Sequence, residues 1–97
     1  MATHKYRQFV IVEIDGATTP IKALPTLAFI QATVGGLIEG VEVVYNGRRR
    51  QAYVNEEGRL RDLPYNPKAS RLYCAAHPFA SVPGIVGPMV IDCGGRK

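Results

Sequence analysis

Residues 6–14, YRQFVIVEI, are dense in β-branched and aromatic side chains and stop at Asp15-Gly16, which predicts a first strand. The FVIV centre is continuous rather than alternating, so both faces of this strand are expected to be covered and the strand to lie inside its sheet. Residues 17–25 carry two prolines and read as a connection. Thr26 then suits a helix N-cap, Leu27, Ile30 and Val34 follow the helical period, and Gly35-Gly36 supplies the stop.

The strongest local signal is Asn46-Gly47 between residues 37–45 and 48–55, the dipeptide suited to the positive φ angles of a two-residue type I′ hairpin. A two-residue loop sets Tyr45 opposite Arg48, Val43 opposite Arg50, Val41 opposite Ala52 and Gly40 opposite Tyr53. One face then carries Val41, Val43, Ala52 and Val54. The other carries Gly40, Glu42, Arg49, Gln51 and Tyr53, with the tyrosine ring beside the glycine.

Asn55-Glu56-Glu57-Gly58 reads as a longer turn, which makes residues 59–63 a short fourth strand. Asn66-Pro67 is an N-cap with proline at the first helical position, and KASRLYCAA continues as a helix until His77-Pro78. Residues 79–84 form a loop, and 85–92 the last strand, where Pro88 implies an edge, a bulge or a later start. The elements add up to an α+β fold: a mainly antiparallel sheet of about five strands with two short helices, in the order β-α-β-β-β-α-β. Residues 1–97 form a single domain, with loose ends at 1–5 and 94–97.

A chain of 97 residues, 46% hydrophobic and 21% charged, has the mix of one ordinary globular domain, near the size at which a single core suffices without metals or disulfides. There is no Trp, so the core rests on Val, Ile, Leu, Phe and Tyr. No secretory leader and no apolar run of about 18 residues is present, which predicts a cytoplasmic protein without a membrane contact. Cys74 and Cys93 are expected as small buried apolar side chains.

The net charge of +4 is modest, so its distribution matters more than its sum. Arg48, Arg49 and Arg50 form the one basic run, at the hairpin tip. Together with Tyr53 as a stacking ring, and with the donors at the start of the second helix, they suit an anionic ligand. The candidate ligand-binding residues are Arg49, Arg50, Tyr53, Asn55, Arg59 and Asn66. The blander alternative is a solvated turn, with Tyr53 merely shielding Gly40. The paired spacings of a zinc site are missing, and Cys74 with His77 is the one nearby nucleophile and base, three residues apart at a helix end. Neither metal, cofactor nor catalytic residue is expected.

The segments TLAFIQATVGGLIEGVEVV, VNEEGRLRDLPYNPKAS and GIVGPMVI give the chain a resemblance to a small uncharacterised family carried by phages, plasmids and other mobile elements, domain of unknown function 3846. The likeness rests on Val34-Gly35-Gly36 with Ile38-Glu39, on Asn55-Glu56-Glu57-Gly58, on Leu63-Pro64, Asn66 and Ala69, and on Ile85-Val86-Gly87. It implies a mobile-element origin and an accessory role. Gly35, Gly36, Gly58, Pro64 and Asn66 are equally explained by caps and turns.

The expected function is therefore a small non-enzymatic accessory protein that binds a host protein or an anionic nucleotide-type ligand, in that way blunting host defence. The alternative is nucleic-acid binding, with Arg48, Arg49, Arg50 and Arg59 on phosphates and Tyr53 under a base; hydrolysis through Cys74 is a third reading. A homodimer or higher homo-oligomer is expected, joined at strand edges.

Overall fold

The computed structural model describes residues 7–21, 24–79 and 84–95, without the side chain of Arg7. The elements are β1 (Arg7–Val12), β2 (Thr18–Ile21), α1 (Leu27–Val34), β3 (Ile38–Tyr45), β4 (Arg48–Asn55), α2 (Pro67–Ala76) and β5 (Met89–Gly95). The strands make one antiparallel five-stranded sheet in the order β2-β1-β5-β4-β3. The fold class is thus α+β as expected, with five strands and two helices.

The hairpin forms in the expected register, Tyr45 opposite Arg48 through Gly40 opposite Tyr53. Its turn residues Asn46 and Gly47 take φ of 53° and 78°, as a type I′ turn requires. Alternation then sends Val41, Val43, Ala52 and Val54 to one face. There they pack with Val12, Met89 and Ile91 of the sheet, and with Ala69 and Leu72 of α2. On the opposite face Ile30 and Val34 of α1 pack on Phe9 and Val90, with Ile11, Ile38 and Tyr53 beside them. One helix on each side gives three layers around the sheet.

The first strand is interior with both faces covered, because Phe9 and Val12 are buried in the two opposite cores. Thr26 caps α1 through its Oγ1, which accepts from the Phe29 N–H at 3.0 Å, and Gly35 ends it. Of the three apolar positions in that helix, Ile30 and Val34 are buried but Leu27 stays 59% exposed. Over Gly40 lies the Gln51 amide rather than the Tyr53 ring, which is drawn into the α1 core instead.

Two elements differ from expectation. Residues 18–21, expected as part of a connection, form β2, with Pro20 opposite Val10; the strand lies at the sheet's edge, where proline's missing N–H is tolerated. Residues 59–63 are turns and not a strand. Their N–H groups are satisfied locally, Arg61 by Glu57 O and Leu63 by Gly58 O, each at 3.0 Å, and Leu60 is left 85% exposed. The alternation of RLRDL therefore has no buried face to serve.

The last strand begins at Met89, directly after Pro88, and lies at the centre of the sheet rather than at an edge. Met89, Val90 and Ile91 are fully buried, as a strand covered on both faces demands. Gly94 and Gly95, expected in a loose tail, belong to this strand, and the expected loose residues 1–5 and 96–97 lie outside the described residues. No helix among the described residues is long and apolar enough to cross a membrane.

Candidate functional site

The side chains of the arginine run separate because alternate residues of a strand face opposite ways. Arg49 shares a face with Glu42; its Nη1 donates to Glu42 Oε1 at 2.9 Å and to the Ala76 carbonyl at 3.3 Å. Arg50, half-buried on the other face, donates from Nε to the Tyr45 carbonyl at 3.0 Å and from Nη1 to the Cys93 carbonyl. Arg48 is exposed at the tip. Arg59 reaches the Gly84 carbonyl with Nη2.

The two asparagines of the candidate set are buried and act within the fold. Asn55 Nδ2 donates to the Val34 carbonyl at 3.0 Å while its Oδ1 accepts from the Glu57 N–H at 2.7 Å, tying the end of α1 to the turn after β4. Asn66 Oδ1 caps α2 by accepting from the Ala69 N–H at 3.0 Å. Its Nδ2 donates to the carbonyls of Val12 and Gly87 at 3.1 and 2.9 Å. Among the described residues no buried side-chain nitrogen or oxygen lacks a partner, so neither amide is held open for a ligand. Arg49, Arg50, Tyr53 and Asn66 do not share a site.

Asn55 and Arg59 do meet, in a cleft of about 290 Å³ between the base of the β3–β4 hairpin, the turn that follows it, α2 and residues 84–86. Val41, Val54, Ile85 and Val86 supply an apolar floor, with Tyr73 on the α2 side. Glu39, Glu56 and Glu57 join Arg59 in its lining and leave the cleft net acidic in a chain of net positive charge. Glu57 is engaged by Arg61 at 3.2 Å, whereas Glu39 and Glu56 have no partner among the described residues. Leu60, 85% exposed, also lines it. Glu39, Glu56, Glu57, Leu60 and Tyr73 were not among the ligand-binding residues expected from the sequence, where Glu56-Glu57 signals a turn and part of the family resemblance. The residues carrying the family resemblance from Asn55 to Gly58, with Glu39, Ile85 and Val86, converge here.

No hydrogen bond joins the Cys74 thiol to the His77 ring among the described residues. The His77 ring stacks on Tyr73 with centroids 4.4 Å apart, and its Nε2–H donates to the Glu42 carbonyl at 3.0 Å. A ring nitrogen bonded to a carbonyl is the donor, which fixes the tautomer with the proton on Nε2 and leaves Nδ1 as the ring's acceptor. Among the described residues no group of three or more His, Cys, Asp or Glu side chains is placed to hold a metal ion.

Both thiols are free, but Cys74 is exposed and Cys93 only half-buried, against the expectation of two buried thiols. Burial pushes the Cys93 thiol above its ordinary pKa, the Arg50 guanidinium opposes this, and Asp92 adds to it. Iodoacetamide at pH 8 is therefore expected to label Cys74 on the order of tenfold faster than Cys93, since thiolate fraction and access set the rate. Peptide mass mapping checks this, and equal rates contradict it. The sign for stability follows: a proton held more tightly by Cys93 in the native state than in the unfolded chain makes stability fall as pH climbs beyond the ordinary thiol range.

Comparison with curated proteins and with solved structures gave no match. A family model described as domain of unknown function (DUF3846) matches residues 6–96. With nearly the whole chain inside that match, the protein belongs to the DUF3846 family.

Proposed function

We propose that this protein is a non-enzymatic accessory protein that works by docking a segment of another protein in the cleft beside α2. The observation that carries this is the pairing of an apolar floor, Val41, Val54, Ile85 and Val86, with the carboxylates of Glu39 and Glu56, which have no partner among the described residues. Such a groove suits an aliphatic side chain flanked by Lys or Arg: burial supplies affinity, and opposite charge supplies register and steering. The mobile-element setting that the resemblance implies makes a host protein the natural partner, with interference in host defence as the consequence.

An anionic nucleotide finds less support. Arg59 is the one cation lining the cleft among the described residues and already donates to the Gly84 carbonyl, while Glu39, Glu56 and Glu57 repel a phosphate. Nucleic-acid binding finds less support as well, because Arg49 and Arg50 leave opposite faces of β4 and each holds a main-chain carbonyl.

Photocrosslinking in the host tests the docking role. A benzophenone amino acid in place of Leu60, at the cleft, is expected to give one defined adduct with a host protein. Glu56→Arg should lower that adduct on the order of tenfold, the effect of reversing one charge at a desolvated contact. The same probe at the exposed Thr19 of β2 serves as control. No adduct from position 60, or the same adduct from position 19, rules the docking role out.

A further inference from the structure

The sheet offers little edge for self-association. At one end β2 spans four residues, Thr18–Ile21, and includes Pro20. At the other, the outward carbonyl of Glu42 in β3 accepts from His77 Nε2 at 3.0 Å, and Arg49 holds the Ala76 carbonyl, so the end of α2 closes over that strand. Short strands, edge prolines and covering elements are the usual devices against edge-to-edge pairing.

The β3–β4 hairpin nevertheless has two unlike ends. At its tip the exposed Arg48 has no partner among the described residues, and Asn46, Gly47 and Arg49 are exposed beside it. At its base are the carboxylates of Glu39 and Glu56, without a partner among the described residues, around an apolar floor. From Glu39 to Tyr45, the last residue of β3 before the tip, the strand extends roughly 20 Å at 3.3 Å per residue. A tip therefore cannot fold back into the cleft of its own protomer.

We infer that the cleft of one protomer receives the hairpin tip of a second copy, with the Arg48 guanidinium between Glu39 and Glu56 and its aliphatic stem on Val41 and Val54. This rests on the cleft being a docking groove and adds its resident occupant. A tip is narrow, projecting and cationic, which are the three properties the cleft selects, and arginine covers apolar surface with its stem while its head stays paired. The contact joins unlike surfaces, so it leaves a free tip and a free cleft at the two ends of every dimer and either closes into a ring or grows. A partner protein taking the cleft then competes with self-association.

Sedimentation velocity on the full chain tests this. At about 20 mM salt the wild type should form concentration-dependent oligomers that weaken roughly tenfold or more by about 500 mM, as screening predicts. Arg48→Glu and Glu56→Arg should each be monomeric. Mixed, they should give a one-to-one dimer that grows no further, because only the intact tip of one and the intact cleft of the other can join. Circular dichroism on each variant shows that it is folded. A wild type that stays monomeric at low salt, or a mixture that stays monomeric, overturns the inference. If the position 60 adduct survives in Arg48→Glu under that result, the docking role stands without it; if self-association appears and no host adduct does, the inference stands and the docking role falls.

Discussion

Asn66→Ala is expected to lower stability by about 3–5 kcal/mol, the largest loss from any single polar side chain in this fold. The residue is fully buried and serves three main-chain groups: it accepts from the Ala69 N–H and donates to the carbonyls of Val12 and Gly87. Alanine removes a helix cap worth about 1 kcal/mol and strands two buried carbonyls at about 1–3 kcal/mol each, partly relieved by relaxation. Against a total of about 5–15 kcal/mol for a domain of this kind, that leaves a chain on the margin of folding. Urea unfolding followed by circular dichroism is the measurement, with a Tm lower by on the order of 15–25 °C as the companion result.

Asn66→Asp separates the cap from the clamp. The carboxylate still accepts from Ala69, but an oxygen now faces the two carbonyls that Nδ2 served. Burial and those carbonyl dipoles both disfavour the ionised form, so the folded-state pKa of this Asp lies above its unfolded value. The native state then holds the proton more tightly, and the variant loses stability as pH climbs from about 4, most of it regained on acidification. A loss under about 1 kcal/mol for the alanine variant would contradict the clamp itself.

Gly84→Ala is expected to cost about 3–4 kcal/mol. Its φ of +124° lies where only glycine is comfortable, and a Cβ there would sit 2.7 Å from Ser70 Oγ and 2.9 Å from Tyr65 Cε1. Backbone strain accounts for about 1–3 kcal/mol, and displacement of Ser70 for the rest. The Ser70 hydroxyl accepts from the Ile85 N–H at 2.7 Å and donates to the Ile85 carbonyl at 3.3 Å, so it is the second clamp between α2 and the segment leading into β5. Ser70→Ala removes the obstructing oxygen, so the double variant should be less destabilised than the two losses summed, by about 1 kcal/mol in a double-mutant cycle. Strict additivity would mean that the two residues do not collide as described. Because residues 84–86 line the cleft, the same substitution should also weaken host crosslinking from position 60.

These effects show why part of the site was illegible in the sequence. Asn55 and Asn66 were singled out as ligand donors because an amide near a turn or a helix start suits both a cap and an anion. Their partners, the carbonyls of Val34, Val12 and Gly87, come from other elements, and no local spacing announces them. Glu56 and Glu57 had the opposite fate. Their sequence context speaks only of a turn, and they gain chemical meaning when Glu39, Ile85 and Val86 arrive beside them. The arginine run misleads for a simpler reason. Adjacency in a strand puts neighbours on opposite faces, so Arg49 and Arg50 part company however close they stand in the chain.

Short-range stereochemistry by itself determined the Asn46-Gly47 turn and the register it imposes, the Thr26 and Asn66 caps, the stop at Gly35, and the division of the hairpin into an apolar face and a mixed one. Each of those is decided within a few residues, by φ preferences and by the alternation of side chains. The tertiary structure alone decided that β5 is the central strand, that residues 18–21 pair while 59–63 do not, and that an acidic cleft forms at the base of a hairpin with a basic tip. Those outcomes depend on which surfaces are left to bury once the local elements exist. A strand persists where neighbours cover its faces, as they cover Met89 to Ile91, and gives way to turns where a residue such as Leu60 finds nothing to pack against.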